Sequence, residues 1–296
     1  MKKAIIIILI VSSLVLIYFL TSNMDRARRN SLTAAIYQYA APWDKNLYDK
    51  FYASAKIIDH IGVVKGGIVP HHLLAGDIDA TFFNYIVWQQ PSIIVLLSPN
   101  HFSNGRSKVI ASARDWQTVY GVLSSANKII TQLADSGALT IDEVAIKEEH
   151  GLYSLMPFIK KSLPNTTVIP IMLKDKTDKK TLDNLVEQIY KLAPSDAVIV
   201  ASIDFSHYKT KKEAVISDAV SREAIKNFDF KALNWLEIDS TSSLYVLLKL
   251  LEKAEAKQIA YDIQSDSTNY LHNPNPKETV SYYSPYFVSD KINSGF

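Results

Sequence analysis

From about residue 57 onward, short apolar runs rich in Ile and Val alternate with stretches of helical periodicity. The runs at 66–69, 92–97, 107–112, 167–173, 197–202, 258–263 and 280–288 predict strands. They are short and almost wholly apolar, as strands buried on both faces are. Helices are predicted at about 77–90, 124–136, 150–161, 178–192, 210–227 and 241–255. Strand–helix alternation of this kind builds a central, mostly parallel or mixed sheet with helices on both faces. The expectation is therefore a single three-layer α/β domain over residues 56–296. The alternative is two subdomains divided near 137–147.

The amino terminus follows a different pattern. After Met-Lys-Lys comes AIIIILIVSSLVLIYFL, residues 4–20, without a charge. A membrane-spanning helix takes about 20 apolar residues, with a range of roughly 17–25. A secretory signal has a shorter apolar core and a small-residue cleavage site, and TSNMD offers no such site. The run reads as an uncleaved signal anchor, residues 1–23, forming an N-terminal transmembrane helix. Residues 24–55, polar with scattered aromatics, read as a stalk. Lys2 and Lys3 before the run are nearly balanced by Arg26, Arg28 and Arg29 after it, so the positive-inside bias is small. The three-residue head is the usual form of a signal anchor, which places the bulk of the chain outside the cytoplasm.

Composition narrows the chemistry. The chain is 48% hydrophobic and 21% charged, enough for a large core. Its 32 basic and 30 acidic residues leave a net charge of +2. No basic stretch is interleaved with aromatics, so no nucleic-acid partner is expected. With no cysteine, disulfides, thiolate zinc sites and thiol nucleophiles are excluded.

Histidines carry the candidate chemistry. Three strand runs each deliver one at the carboxyl end: His71 in GGIVPHH, His101 in SPNHF and His207 in AVIVASIDFSHY. Ligands of open α/β sheets bind beyond those ends. His60 and His272 lie in polar surroundings and read as surface residues. His72 neighbours His71 on an extended segment and faces the other way; His71, directly after Pro70, is the better candidate. Two imidazoles and a carboxylate form the facial triad of non-haem Fe(II) sites. Asp204, Asp239, Glu148 and Glu149 are all candidates for the carboxylate, and spacing does not choose among them. A serine hydrolase is disfavoured, because adjacent Ser206 and His207 cannot readily form the nucleophile–base bond and no G-x-S-x-G elbow is present.

The stretches VPHHLLAG, LSPNHF, EEHGLYSLMPF, ASIDFSHY and IDSTSSLYVLL, in that order over about 64–290, resemble the Memo family, also called AmmeMemoRadiSam system protein B. That family's corresponding segments are of the types PHAGY, GP[SN]HH, EHSIEVQLPF, SSDFSHY and a late CG..PI turn. Its fold is similar to class III extradiol dioxygenases of the LigB type, where two histidines and a glutamate hold iron and a further histidine is the acid/base. Memo proteins have a cysteine at the place of the glutamate.

The resemblance implies that His71 and His101 are metal ligands, that His207 is the acid/base histidine with Asp204 beside it, and that His150 lines the pocket. The family cysteine aligns, without gaps, with Asp239, and a one-residue slip gives Ser240 instead; Asp239 would restore a two-histidine, one-carboxylate set. Phe102 replaces the second histidine of GPSHH, and Tyr153 and Leu155 replace the inner Glu and Gln of the EH segment. The implied cofactor is a divalent metal, Fe(II) foremost, with Zn or Cu as substitutes. The implied activity is that of a metal-dependent, dioxygenase-like oxidoreductase acting on an aromatic or other small molecule. The alternative is a non-catalytic metal-binding or partner-binding protein that retains the pocket.

Overall fold

The structure is a computed structural model that describes residues 36–272 and 278–289. Contacts divide the chain into two units, Met1–Gln38 and Tyr39–Phe296. The anchor expected at 1–23 lies outside the described residues. Among the described residues, no helix is long and apolar enough to cross a membrane.

Tyr39–Phe296 is an α/β unit built on a mixed sheet. Its helix α1 is Lys45–Ser54, followed by β1 (Val63–Val69), α2 (Gly76–Tyr85), β2 (Ile93–Pro99) and β3 (Val109–Ala111). A hairpin of β4 (Asp115–Thr118) and β5 (Gly121–Leu123) leads to α3 (Asn127–Asp135) and β6 (Thr140–Ile141). Then come α4 (His150–Tyr153), α5 (Met156–Ser162), β7 (Thr167–Leu173), α6 (Lys179–Leu192), β8 (Val198–Ser202) and α7 (Lys211–Lys226). The chain closes with α8 (Thr241–Lys253), β9 (Gln258–Asp266) and β10 (Ser281–Ser289).

Among the described residues, eight strands form the main sheet in the order β9-β10-β1-β8-β2-β7-β3-β6. The four central strands, β1, β8, β2 and β7, are mutually parallel. β10 pairs antiparallel with β1 and β3 antiparallel with β7, so the sheet is mixed. Side chains alternate across it. Val95, Leu97, Ile169, Ile171, Ile199 and Ala201 pack in one core with helices α3, α6 and α8. Ile94, Leu96, Val168, Met172, Val198 and Val200 pack in the other with α1, α2 and α5. Complete burial of each such side chain contributes roughly 1.5–3 kcal/mol, which is why these strands are continuous apolar runs. β1 tolerates Gly67 because a Cβ there would strike the Phe82 ring of α2 and the Pro285 carbonyl of β10.

Side-chain caps fix the helix starts that surround the site. Asp178 accepts from the Thr181 amide at α6, Thr210 and Glu213 form a capping box at α7, and Ser240 accepts from the Ser243 amide at α8. The helix expected over 150–161 is two helices, since Pro157 stands at the start of the second and cannot continue the first. The segment 24–55, expected as a stalk, is a packed helix from Lys45 onward. Tyr48 of α1 is fully buried and edges onto Phe158 at 5.0 Å.

Candidate metal centre

β8 lies between β1 and β2, and all three run parallel, so their carboxyl ends open side by side. Each carries a polar side chain into the same place. Beyond β1, Pro70 is followed by His71, which is 4% exposed. Its backbone N–H donates to Asp204 Oδ1 at 3.2 Å, and its Nδ1 is hydrogen-bonded to Ser202 Oγ at 2.9 Å. That leaves Nε2 facing Asp239 Oδ2 at 3.1 Å and Asp204 Oδ2 at 3.5 Å.

Beyond β2, the Asn100 side chain closes a loop by bonding the Asn104 N–H and carbonyl, both at 2.9 Å. This loop presents His101. Glu149 grips it twice, accepting the His101 backbone N–H at 2.9 Å and its Nδ1–H at 2.7 Å. The free Nε2 lies 3.7 Å from Asp239 Oδ2. Glu149 also caps α4 by accepting the Gly151 N–H at 2.9 Å. One carboxylate thus positions both His101 and the helix that begins with His150. The His150 ring stacks on His101 with centroids 4.0 Å apart and lies 5.1 Å from His71.

Asp239 precedes the Ser240 cap of α8. It is tied to the loop beyond β8 in both directions: its N–H donates to the Asp204 carbonyl at 3.2 Å, and its Oδ2 accepts the Asp204 N–H at 3.1 Å. Its Oδ1 is buried without a hydrogen-bond partner among the described residues. Among the described residues, two groups have ligand atoms mutually within 4.8 Å, namely His71, His101 and His150, and His71, Asp204 and Asp239. His71 belongs to both, and Asp239 Oδ2 faces His71 Nε2 and, at the longer distance, His101 Nε2.

Asp204 is placed differently from the sequence expectation. Its carboxylate serves His71, and among the described residues no hydrogen bond or ion pair joins it to His207. His207 is half-buried on the wall of the same cavity, of about 760 Å³. His72, expected to face the other way, also lines this cavity, with its Nδ1 hydrogen-bonded to the Tyr282 hydroxyl at 2.8 Å. The outer wall is apolar, with Pro42, Leu73, Phe102, Tyr153 and Tyr208. Phe102, which stands where the family has a histidine, is 60% exposed there.

The electrostatics follow from this packing. Burial pulls the His71 pKa down, but the carboxylates of Asp204 and Asp239 overcome it and hold it above the ordinary value. His101 is likewise opposed by burial and raised by its bonds to Asp239 and Glu149, to about 9. His150 goes the other way, to about 4, through burial and the neighbouring His101 and His71. Burial works against the charged form of Asp239, yet the two histidines hold its carboxyl well below the usual range.

These residues fit a divalent cation. Each of the two histidines has Nδ1 engaged by a protein oxygen, which fixes the ring and aims Nε2 at a shared carboxylate. That carboxylate keeps one buried oxygen without a partner, an arrangement a cation would satisfy. The sequence had named Glu149 only as one of several ligand candidates. It turns out to hold His101 from the side away from Asp239, a role that the EH segment alone does not reveal.

Three kinds of comparison bear on the chain. A family model described as Memo-like protein matches residues 28–273. A MEMO1 family protein of Caldivirga maquilingensis is 25% identical over 181 residues, which are 60% of this chain and 61% of that protein. MEMO1 family proteins of Metallosphaera sedula and Sulfolobus acidocaldarius are 26% and 28% identical over 174 residues each, covering 56% of this chain. The match again spans 61% of each relative's own length. Among solved structures, uncharacterized protein JW3007 from Escherichia coli K12 aligns with a TM-score of 0.49 and 12% identity, over 75% of this chain and 99% of that one. The family match runs from before α1 to beyond β9 and takes in His71, His101, His150, Asp204, His207 and Asp239, so the chain belongs to the Memo-like protein family.

Proposed function

We propose that the protein holds a divalent metal, Fe(II) foremost, on His71, His101 and Asp239 and acts as a metal-dependent oxidoreductase on a small molecule. The observation that carries this reading is the convergence of two Nε2 atoms on Asp239 Oδ2, 3.1 and 3.7 Å away, at the floor of an open cavity. Imidazole and carboxylate suit Fe(II), and imidazole equally suits Zn and Cu. A bound iron would supply the redox chemistry and the open coordination positions.

The chain's own residues do the rest. Ser202 and Glu149 fix the two imidazoles, and Asp204 fixes the backbone of both His71 and Asp239. Phe102, Tyr153 and Tyr208 line the mouth and offer flat apolar surface to a small organic molecule. His150, uncharged down to about pH 4, offers the pocket a neutral imidazole. His207 stands at the wall as the acid/base candidate. A second reading, a metal-holding protein without turnover, is favoured by one feature: among the described residues, no carboxylate is hydrogen-bonded or ion-paired to His207.

The test is metal content of the purified protein against His71→Ala and Asp239→Ala. Loss of metal in both variants is expected, and equal metal in all three would sink the assignment. Anaerobic Fe(II) reconstitution, followed by oxygen uptake with a panel of aromatic and other small molecules, then separates the two readings. The membrane anchor at 1–23 and an extracytoplasmic domain belong to the same proposal, supported by the uncharged run 4–20. Retention in the membrane pellet after alkaline extraction is expected, and release would refute the anchor.

A further inference from the structure

A second cleft, of about 230 Å³, lies where α7 faces β9 and β10. It shares no lining residue with the metal cavity. The two are separated by the short extended segment 279–281, whose side chains alternate: Val280 lines the metal cavity, while Thr279 and Ser281 line the second cleft.

Thr279 is 0% and Ser281 4% exposed, and neither hydroxyl has a hydrogen-bond partner among the described residues. Buried hydroxyls are rarely left so. Arg222 of α7, half-buried, lines the same cleft, and none of the described carboxylates lies within ion-pair reach of it. Of the other charged residues there, Lys211 and Asp266 offset each other, and Asp218 is held by Ser206. Lys211 pairs with Asp266 at 3.1 Å and donates to the Thr268 hydroxyl at 2.9 Å. Asp218 Oδ1 accepts from the Ser206 hydroxyl at 2.8 Å. What remains facing the cleft is a guanidinium and two hydroxyls, a set of donors that matches the oxygens of a tetrahedral oxyanion.

We infer that this cleft is a binding site for a small oxyanion, phosphate or a phosphate monoester, held by Arg222, Ser281 and Thr279. The site touches the metal loop through the main chain. Ser281 accepts the Phe205 N–H at 2.9 Å and donates its own to the Ser206 carbonyl at 3.1 Å. The ligand therefore sits one residue away from the segment that bears Asp204 and His207.

The experiment is isothermal titration of the full-length chain with inorganic phosphate and, in a separate arm, glycerol 3-phosphate, both with chelator present so that no metal can bind them. Saturable binding of at least one probe, tighter than about 1 mM, is expected. Arg222→Gln should weaken it about tenfold or more and Ser281→Ala about threefold to tenfold. His101→Ala should leave it unchanged. Thermal unfolding without phosphate, at or above the wild-type midpoint for Ser281→Ala, checks that this variant is folded. Tighter binding of glycerol 3-phosphate identifies an esterified ligand, and tighter binding of phosphate the free ion. Absence of saturable binding by both probes overturns the inference. So does affinity unchanged in both cleft variants, or affinity lost in His101→Ala.

Discussion

Replacing Glu149 with Gln tests whether the pocket's grip on His101 is what makes it a metal site. Three N–H groups converge on this carboxylate, from the His101 backbone at 2.9 Å, the His101 ring at 2.7 Å and Gly151 at 2.9 Å. Glu149 is 1% exposed, so water cannot substitute. An amide has one acceptor oxygen and one NH2. If its oxygen takes the place of Oε1, the NH2 opposes the His101 backbone N–H; in the other orientation it opposes both the ring N–H and the Gly151 N–H. Either way at least one buried donor is left unpaired, at about 1–3 kcal/mol, and a charge-assisted bond becomes a neutral one.

Partners of this kind are worth roughly 10–100-fold in metal affinity, or about 1.4–2.7 kcal/mol. The assay is a competition titration of Fe(II) or Zn against a chromophoric chelator, under conditions where circular dichroism shows both proteins folded. A drop within that range is expected, with a lower unfolding midpoint as well, because Glu149 also caps α4. Unchanged affinity in Glu149→Gln together with full loss in His101→Ala would mean that the ring is oriented by something else. Unchanged affinity in both would remove His101 from the ligand set.

Asp79 is fully buried with neither carboxylate oxygen bonded, and burial raises its pKa well above the usual 3.8. The unfolded chain releases this proton near that value while the native state keeps it. Stability therefore falls by about 1.4 kcal/mol per pH unit from there up to the native pKa. Asp79→Asn removes that slope, so in urea unfolding the variant should gain on wild type at that rate from about pH 4 upward; parallel curves would mean an ionised, partnered Asp79. His207→Ala is expected to retain wild-type metal, read by elemental analysis, and to lose oxygen uptake; an emptied site would make His207 a ligand. Gly151→Ala drives a Cβ into Ser98 Oγ and to 3.2 Å from Glu149 Oε1; a loss of about 1–3 kcal/mol is expected by thermal or urea unfolding, and a neutral result would show that α4 can shift without consequence.

The parts of the fold that could be read from the sequence are those where burial leaves a local imprint. β7 is apolar and buried from Val168 to Leu173, and the strand expected at 167–173 occupies those very residues. β2, expected at 92–97, extends two residues further, to Pro99. Helix α1 left a weaker imprint: its buried face is Tyr48 with the partly buried Phe51 and Tyr52, set among Lys and Asp, so the segment reads as polar with scattered aromatics. The β4–β5 hairpin, at 115–118 and 121–123, is too short to establish a period. In the site, His71 and His101 were legible because each ends an apolar run. The pairing of Asp204 with His71, and of Glu149 with His101, joins segments remote in the chain, and no spacing rule encodes it.

The position of β8 has a consequence for how the pocket comes into being. β8 occurs late in the chain yet is inserted between β1 and β2, the strands that carry His71 and His101. Before residues 198–202 take that place, the two imidazoles have no defined separation. Asp239 is added only when the segment ahead of α8 closes over them. A nascent or partly unfolded chain thus offers scattered ligands with large loops still to close, and closing them opposes capture. Any cation held there acts as a clasp across the early and late halves of the chain. It binds the native state in preference to the unfolded one and raises the unfolding free energy in proportion to the logarithm of its concentration above its dissociation constant. Loading of such a cation would then be a late step in maturation, and a chelator would weaken the fold as well as empty the pocket.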